Sequence, residues 1–182
     1  MSMAVPIYHT ADMVRALPDD GNRYEVVHGE LLVTPAPRGW HQELCGRLYY
    51  WLRTYLERHP VGHVFASPAD ISWGPDVLVQ PDAFVTTLEQ ARTMDWSRVQ
   101  DLLLVVEVLS PSTSRADRFT KRRLYQEQRI ALYWVVDPNQ QVVEVWTPDA
   151  QFPTVEREAV YWQPSGAPEP FLIRLEDLFR PI

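Results

Sequence analysis

The chain has 182 residues, of which 46% are hydrophobic and 23% charged, as in an ordinary globular protein with one domain and a core of its own. Its formal net charge of −7 argues against a protein that coats nucleic acid non-specifically, although a local basic patch could still dock a phosphate backbone. The single cysteine, Cys45, excludes an intramolecular disulfide and a CxxC metal site. No apolar run approaches the roughly 20 residues of a membrane span. MSMAVPIYH has neither the basic start nor the apolar core of a signal peptide, so a cytoplasmic location and no membrane partner are expected.

The first third of the sequence predicts a short helix, a hairpin and a long helix. DMVRALP is typical of a short helix that ends at Pro18, and YEVVHGELLVTPAP of two strands with a turn at His28 and Gly29. Apolar residues recur at spacings of three and four from Trp40 to Arg58, which indicates an amphipathic helix. The next stretch, VGHVFASPADISW, indicates a strand followed by an extended segment.

The middle of the chain predicts the interior of a sheet. VLVQPDAFV indicates a strand interrupted at Pro81, and a proline inside a strand means an edge, a bulge or a kink. In LLLVVEVL, the five apolar residues Leu102–Val106 indicate a strand buried on both faces, and hence a central strand of a mixed or parallel sheet. ALYWVVD indicates another buried strand, DPNQ a turn and QVVEVWT a partner strand. The rest is a β-rich tail that ends in a short amphipathic segment, LEDLF.

A helix is predicted between the two buried strands, over Arg118–Gln128. Asp117, Lys121 and Tyr125 lie four residues apart and so form one stripe along it. The surrounding stretch, Arg115–Arg129, holds six basic and two acidic residues, which is either a solvated helix face or a basic docking patch. Together the elements predict a single α/β (or α+β) domain with a mixed sheet.

Two acidic residues interrupt the apolar strands. Glu107 continues a strand that is otherwise apolar, and an unpaired carboxylate there costs on the order of several kcal/mol. It must therefore pair with a cation, lie at a wet strand end or stay neutral. Asp82 raises the same question in VLVQPDAFV, and two acids at one edge of a sheet would suit a hard divalent cation. The alternatives are that Asp82 forms a turn after Pro81 and that Glu107 caps a helix or pairs with an arginine.

Lys121 is the only lysine of the sequence; every other Lys or Arg position holds arginine. It could simply form an ion pair with Asp117, worth a few tenths of a kcal/mol on a helix surface, but arginine would serve equally well there. A site that needs a compact ammonium group with a tunable pKa cannot use arginine. The lone lysine therefore indicates a functional site.

Other familiar catalytic motifs are missing from the sequence. The five histidines lack HExxH spacing, the HQE at His41–Glu43 lacks the PCxxC of a zinc deaminase, and there is no GxSxG, P-loop or GxGxxG. The hydroxyl-rich turn of Ser110, Ser112 and Thr113 either caps a helix or offers hydroxyls and amide donors to a phosphate.

Several of these motifs together resemble a known family. QPD at Gln80–Asp82 and EVLSPST at Glu107–Thr113, followed by Asp117 and Lys121, resemble the bacterial family of putative restriction endonucleases in the PD-(D/E)XK nuclease superfamily. The stretches YEVVHGELLVTPAP, HQELCGRL and ALYWVVDPNQQVVEVW are similar to the same family. The resemblance covers Tyr24–Trp146.

This resemblance implies a restriction-endonuclease-like mixed β-sheet flanked by helices, with additional β-strands at both ends. The single domain would span residues 1–182, with a nuclease-like core over residues 24–146 and a β-rich C-terminal extension over residues 147–182.

The resemblance also implies a divalent cation, Mg²⁺ or Mn²⁺, held by Asp82, Glu107 and the backbone carbonyl of Val108. In the superfamily the lysine follows the acid by two residues, where this chain has Leu109. The family supplies the lysine from the following helix instead, and Lys121 fits that position.

Further site residues are expected around this centre. Glu43 lies on the helix from which some relatives contribute a third acid, and His41 on that helix and Asp117 are additional candidates. The residues expected to bind the phosphate backbone are Ser110, Ser112, Thr113, Arg115, Arg118 and Arg122.

The function that follows is metal-dependent hydrolysis of a nucleic-acid phosphodiester, with DNA foremost. Lys121 would orient the attacking water, help to deprotonate it or stabilise the transition state. Two rivals stay open: a non-catalytic nucleic-acid or protein-binding module on a nuclease-like fold, and a metal hydrolase of small phosphoesters. A homodimer is expected by analogy, because many nucleases cut two strands with paired sites.

Overall fold

The computed structural model of the protein describes residues 7–182. Its α-helices are α1 (Ala11–Arg15), α2 (Gly39–Arg58), α3 (Leu88–Ala91), α4 (Arg122–Glu127) and α5 (Leu175–Phe179). A 3₁₀ turn spans Trp96–Arg98 and a π-helical segment spans Ala116–Lys121. Its strands are β1 (Arg23–Val27), β2 (Glu30–Thr34), β3 (His63–Ala66), β4 (Ile71–Gly74), β5 (Val77–Val79), β6 (Ala83–Thr86), β7 (Leu102–Val108), β8 (Tyr133–Asp137), β9 (Val142–Trp146), β10 (Thr154–Glu156), β11 (Ala159–Trp162) and β12 (Phe171–Arg174).

Six strands form the central mixed sheet, in the order β10-β9-β8-β7-β6-β3. β7 and β8 are parallel, with Val105 opposite Tyr133 and Val108 opposite Val136, and the other pairs are antiparallel. β7 is buried along almost its whole length, which confirms the central strand predicted from its apolar run. Its β-branched side chains suit a strand that packs on both faces.

Alternation along β7 divides its side chains between two apolar cores. Leu104 and Val106 face the core that α2 covers with a stripe of leucines at helical spacing, namely Leu44, Leu48, Leu52 and Leu56. Val105 faces the opposite core, to which α4 contributes Leu124 and Tyr125. Glu107 shares the face of Val105, so its carboxylate points toward the segment that carries α4.

The segment VLVQPDAFV forms two strands that belong to different sheets. β5 pairs with β1 in a four-stranded sheet of order β2-β1-β5-β4, whereas β6 pairs with β7 and β3 in the central sheet. The predicted interruption at Pro81 is therefore a crossing between sheets. Ala83 lies opposite Val106, so the crossing places Asp82 beside Glu107.

The helix predicted over Arg118–Gln128 begins earlier and in a different form. Ala116–Lys121 is π-helical and continues directly into α4. Asp117 and Lys121 are both buried within it, at 1% exposure each. The stripe predicted for Asp117, Lys121 and Tyr125 is thus realised as three buried side chains, because the wider π turn keeps positions four apart on the same side.

The C-terminal part of the chain is β-rich, as predicted, and shares the core of the central sheet. β10 pairs with β9, β11 forms a hairpin with β12, and α5 follows where LEDLF was predicted to be amphipathic. Trp162, Phe171 and Leu178 pack in the same cluster as the leucines of α2.

The whole is a mixed α+β arrangement of sheets flanked by helices. Within residues 7–182 no helix is both long and apolar enough to cross a membrane. The prediction that MSMAVPIYH lacks a signal core falls largely on residues 1–6, which lie outside the described range.

Candidate functional site

Asp82 lies where the two sheets meet and is surrounded by hydrogen-bond donors. Its Oδ2 accepts a hydrogen bond from the backbone N–H of Val108 (2.9 Å) and lies 3.2 Å from His41 Nε2. Its Oδ1 accepts from Arg23 Nη1 at 3.0 Å. The Asp82 carboxylate is therefore fixed by β7, α2 and β1 together.

Lys121 reaches the carboxylate of Glu107 from the π-helical segment. Its Nζ donates to Glu107 Oε1 at 2.9 Å and lies 3.4 Å from Asp117 Oδ1. Tyr125, one helical turn later, donates its hydroxyl to the same Glu107 oxygen at 3.0 Å. Leu109, where the superfamily pattern places the lysine, is buried in the apolar core instead. The helix thus brings its ammonium group to the acid, as the sequence suggested.

A third acid, Glu25, belongs to the same cluster and was not predicted. It lies on β1, and its Oε1 is 3.0 Å from Lys121 Nζ and accepts the backbone N–H of Gln80 at 2.7 Å. Arg23, on the same strand, lies with its Nε 3.6 Å from Glu25 Oε2. A signal was available in the sequence, because Glu25 in YEVV interrupts an apolar strand just as Glu107 does.

Burial controls the protonation of the cluster. It raises the pKa of Glu107 well above its ordinary value, and Lys121 offsets only part of that effect. It also raises the pKa of Asp117, again against the charge of Lys121. Burial would lower the pKa of Lys121, but the neighbouring acids, Glu107 foremost, raise it above its ordinary value. The lysine thus remains an ammonium group beside Glu107 and Asp117, two carboxyls that burial makes harder to ionise.

Asp82 is the exception among the buried acids. Burial would raise its pKa, but hydrogen bonding with His41 and the charge of Arg23 lower it below its ordinary range. The pKa of His41 is raised: burial would lower it, but hydrogen bonding and charge from Asp82 outweigh that effect, and the backbone of Val108 adds to them. Asp82 therefore ionises at a lower pH than Glu107 and Asp117 do.

The site opens on a cleft of about 730 Å³. Asp82, His41 and Arg23 form one part of its wall, whereas Glu107 and Lys121 lie behind them at 0% and 1% exposure. The hydroxyl-rich turn of Ser110, Ser112 and Thr113 forms another part of the wall. The remaining arginines of the wall are Arg15, at the end of α1, and Arg38, immediately before α2. A cleft lined by the carboxylate of Asp82 and by basic and hydroxyl groups can receive a phosphate beside Asp82.

Comparison with known protein families identifies the family of the chain. The model of the Uma2 family, described as "Putative restriction endonuclease", matches residues 11–172. The chain belongs to this family. The family predicted from the QPD, EVLSPST and lysine motifs is thereby confirmed.

One solved structure resembles this Uma2 member over nearly its whole length. It is the crystal structure of a putative nuclease belonging to DUF820 from Anabaena variabilis ATCC 29413, 23% identical, with a TM-score of 0.77. The alignment covers 94% of this chain and 97% of that chain. This likeness shows a nuclease-like fold. A search of curated proteins found no match.

Not every residue predicted to bind phosphate lies in the cleft of this Uma2 member. Arg118 is bound to Asp137 (2.7 Å) and Glu144 (2.8 Å), and Arg122 lies over the ring of Trp146. Arg115 is exposed on the same segment. None of these three is among the residues that line the described cleft, so their role in phosphate binding stays a prediction.

The helix α2 contributes His41 and Cys45 to the site, while Glu43 turns away. Glu43 pairs with Arg47 at 2.7 Å on the partly exposed side of the helix. Cys45 Sγ lies 3.5 Å from His41 Nδ1, and burial raises the pKa of its thiol. Ligand atoms of His41, Cys45 and Asp82 all lie within 4.8 Å of one another. A third metal ligand from α2 is therefore more readily His41 than Glu43.

The residues present fit a divalent cation. The carboxylates of Glu25, Asp82, Glu107 and Asp117 face two permanent cations, Arg23 and Lys121, which leaves a formal excess of negative charge. Glu25 Oε2 and Glu107 Oε2 are buried and have no hydrogen-bond partner among residues 7–182. Buried carboxylate oxygens without donors are costly, and hard divalent cations take such oxygen ligands. The carboxylate oxygens of this donor set thus suit a hard divalent cation.

Proposed function

We propose that the protein is a divalent-metal-dependent nuclease that hydrolyses phosphodiester bonds of nucleic acid, with DNA as the favoured substrate. The observation that carries this proposal is the buried acid cluster: carboxylates in excess of cations, two of them with unpartnered oxygens, behind the wall of an open cleft. Membership of the Uma2 family and the fold of the Anabaena nuclease support it.

Asp82, Glu107 and the backbone carbonyl of Val108 would hold the cation, Mg²⁺ or Mn²⁺. When bound, such a cation polarises a phosphoryl oxygen and lowers the pKa of a coordinated water. Asp82 is suited to this role because its lowered pKa keeps it ionised. The N–H of Val108 holds its carboxylate in a fixed orientation.

Lys121 is assigned an electrostatic role in this proposal. Its raised pKa keeps the proton on the amine, so it does not suit the removal of a proton from water. It holds Glu107 in place at 2.9 Å and adds positive potential where negative charge develops on the phosphate. Of the roles considered for the lone lysine, orientation and charge stabilisation are favoured over general-base catalysis.

The cleft wall would receive the phosphate backbone. Ser110 and Ser112 offer hydroxyls. Thr113 closes the turn, because its hydroxyl oxygen accepts a hydrogen bond from the N–H of Ser110 at 3.1 Å. Arg38 lies at the start of α2 on the same wall. These groups suit contacts to phosphate oxygens, which position nucleic acid without reading its sequence.

A cytoplasmic location and a homodimer belong to the same proposal.

Cleavage assays test the proposal. Purified protein is incubated with supercoiled plasmid and with single-stranded oligonucleotides in Mg²⁺, Mn²⁺ or EDTA. We expect metal-dependent nicking that falls at least about 100-fold in Asp82→Ala, Glu107→Ala and Lys121→Ala, the scale of losing a key electrostatic group. Glu57→Gln is the matched control, because Glu57 is an exposed acid whose partner is Arg53 on α2.

The outcome also separates the nuclease from its rival. A non-catalytic binding module on the same fold would leave all substrates intact and would have no need to bind Mn²⁺ through Asp82. Wild-type protein that cleaves nothing, or the three variants cleaving as well as Glu57→Gln, would overturn the nuclease assignment.

A further inference from the structure

Arg23 is the cation of the acid cluster that faces the cleft. Its Nη1 donates to Asp82 Oδ1 at 3.0 Å and to the carbonyl of Gln80 at 3.2 Å, and its Nε lies 3.6 Å from Glu25 Oε2. The side chain is 18% exposed and lines the cleft, whereas that of Lys121 is 2% exposed. The two cations of the cluster thus lie on different sides of the acids, with Arg23 on the open one.

Every oxygen of Asp82 already has a donor against it. Oδ2 is taken by the N–H of Val108 and by His41, and Oδ1 by Arg23. A divalent cation on Asp82 needs one of these oxygens at about 2.0–2.1 Å for Mg²⁺. Oδ2 faces two donors, of which the N–H of Val108 belongs to β7 and cannot withdraw. A cation therefore approaches Asp82 either at Oδ1, directly beside Arg23, or in place of His41.

His41 and Arg23 differ in how each can make room for a cation on Asp82. The imidazole of His41 can lose its proton and then accept a cation as a ligand. The guanidinium of Arg23 cannot be deprotonated and has no acceptor atom. A cation bound to Asp82 would therefore repel Arg23, and in this half-buried site the repulsion is weakly screened.

We infer that Arg23 is a built-in competitor of the metal: its guanidinium neutralises Asp82 and Glu25 in the metal-free protein and must leave Asp82 for the divalent cation to bind. Arg23 thereby sets the metal affinity of the site. This inference rests on the proposed function, since it assumes that Asp82 binds the cation. It adds that the chain itself weakens that binding.

Calorimetric titration with Mn²⁺ alone tests the inference without any assay of cleavage. We expect Arg23→Gln to bind Mn²⁺ on the order of tenfold more tightly than wild type, because a unit positive charge is removed beside the ion. Arg23→Lys, which keeps the charge, stays closer to wild type. Arg38→Gln is the matched control: it removes a charge from the same cleft wall at an exposed residue, and it leaves the affinity within about twofold.

The variant Asp82→Asn distinguishes an error in the proposed metal site from an error in the role inferred for Arg23. If Asp82→Asn binds Mn²⁺ as well as wild type, the metal site of the proposed function is wrong, and the inference falls with it. If Asp82→Asn loses binding but Arg23→Gln binds no more tightly than wild type, only the role of Arg23 is overturned.

A measurement on the wild type covers the case in which Arg23→Gln does not fold. The Nε–Hε signal of Arg23 in a ¹H–¹⁵N spectrum is assigned by its disappearance in Arg23→Lys. Saturation with diamagnetic Mg²⁺ is expected to shift this signal as the guanidinium leaves Asp82. A signal that stays in place while the backbone amide of Val108 shifts would overturn the inference.

Discussion

At the scale of single residues, the buried cluster explains why one lysine stands among arginines. The ammonium of Lys121 has three donors on one atom and meets Glu25, Glu107 and Asp117 at 2.9–3.4 Å. A planar guanidinium could not place all its donors against three acids that converge on one point. Arginine serves where two acids are met by adjacent nitrogens of one guanidinium, as with Nε and Nη2 of Arg118 against Glu144 and Asp137.

Each buried charge of this cluster is stable only because an oppositely charged partner lies beside it. Each charge is removed from water, and the attraction between partners offsets that cost only while the hydrogen bonds are complete. Glu107 illustrates this, because one of its oxygens binds both Lys121 and Tyr125 while the other has no donor in the described residues. The cluster is therefore not a saturated hydrogen-bond network, which agrees with the metal site proposed for it.

The His41–Asp82 contact predicts a pH-dependent contribution to stability. The folded protein raises the pKa of His41, so it binds the proton more tightly than the unfolded chain does. The contribution is fully present below the unfolded pKa of about 6.5 and is lost as the pH rises through the higher folded value. Chemical denaturation of wild type and His41→Asn should therefore differ most in the acid range, by roughly 1–2 kcal/mol for a charged hydrogen bond.

His28→Asn is the control for this measurement. His28 pairs with Glu127 at the surface, where ion pairs contribute little, and its positive φ of 49° is one that asparagine tolerates. We expect its difference from wild type to stay within about 0.5 kcal/mol at every pH. A difference for His41→Asn that grows with pH would contradict the assigned direction of the pKa shift.

At the scale of elements, the π-helical segment is what aims Lys121. Ala116–Lys121 holds Asp117 and Lys121 on the buried side, and α4 then continues with Tyr125 against Glu107. Single π turns inside helices occur frequently at functional sites. Here the π turn allows Lys121 and Tyr125 to meet Glu107, with Asp117 beside Lys121, without breaking the helix.

Insertion of one alanine after Phe119 tests this role. Phe119 is 62% exposed, so the insertion falls where the side chains contribute little packing. The extra residue would turn the residues after it by about 100° relative to Asp117 and so carry Lys121 away from Glu107. We expect the free energy of unfolding to fall by about 3–5 kcal/mol, the scale of breaking a buried ion pair.

Phe119→Ala keeps the length of the segment and is the control, expected within about 0.5 kcal/mol of wild type. Urea denaturation compares the two proteins. If the insertion variant is as stable as Phe119→Ala, the register of the π-helical segment does not position Lys121.

Some of these elements could be predicted from the sequence and others could not. The apolar run of β7 and the break at Pro81 located Glu107 and Asp82, because burial leaves a local pattern. Glu25 was missed because its partners come from the crossing at Gln80–Asp82 and from the π-helical segment, which only the folded chain brings to β1. The pairing of Arg118 with Asp137 and Glu144 could not be predicted, since these partners lie far along the sequence, and its contact with phosphate stays a prediction.

At the scale of the whole molecule, the site lies at the seam of two sheets. The crossing at Gln80–Asp82 joins the four-stranded sheet, which supplies Glu25 and Arg23, to the central sheet, which supplies Glu107. α2 closes one side of the seam with His41. Neither sheet alone contains the site, so its geometry depends on how tightly the layers are packed together.

The C-terminal part of the chain is predicted to be essential for that packing. It buries seven apolar side chains in the core of α2 and the central sheet: Val160, Trp162, Phe171, Ile173, Leu175, Leu178 and Phe179. Each is worth roughly 1.5–3 kcal/mol, and together they match or exceed a domain stability of about 5–15 kcal/mol. Arg47 of α2 also donates to the carbonyls of Leu178 (2.9 Å) and Arg180 (2.7 Å).

Truncation before β11 should therefore unfold the protein. We expect a chain lacking residues 159–182 to show no cooperative thermal transition and to aggregate, because the leucine stripe of α2 becomes exposed. Removal of Pro181 and Ile182 alone is the control, since Ile182 is 98% exposed, and should leave the melting temperature unchanged. Circular dichroism and light scattering compare the two. A truncated chain that melts cooperatively and still binds Mn²⁺ would show that residues 7–158 form the site without this support.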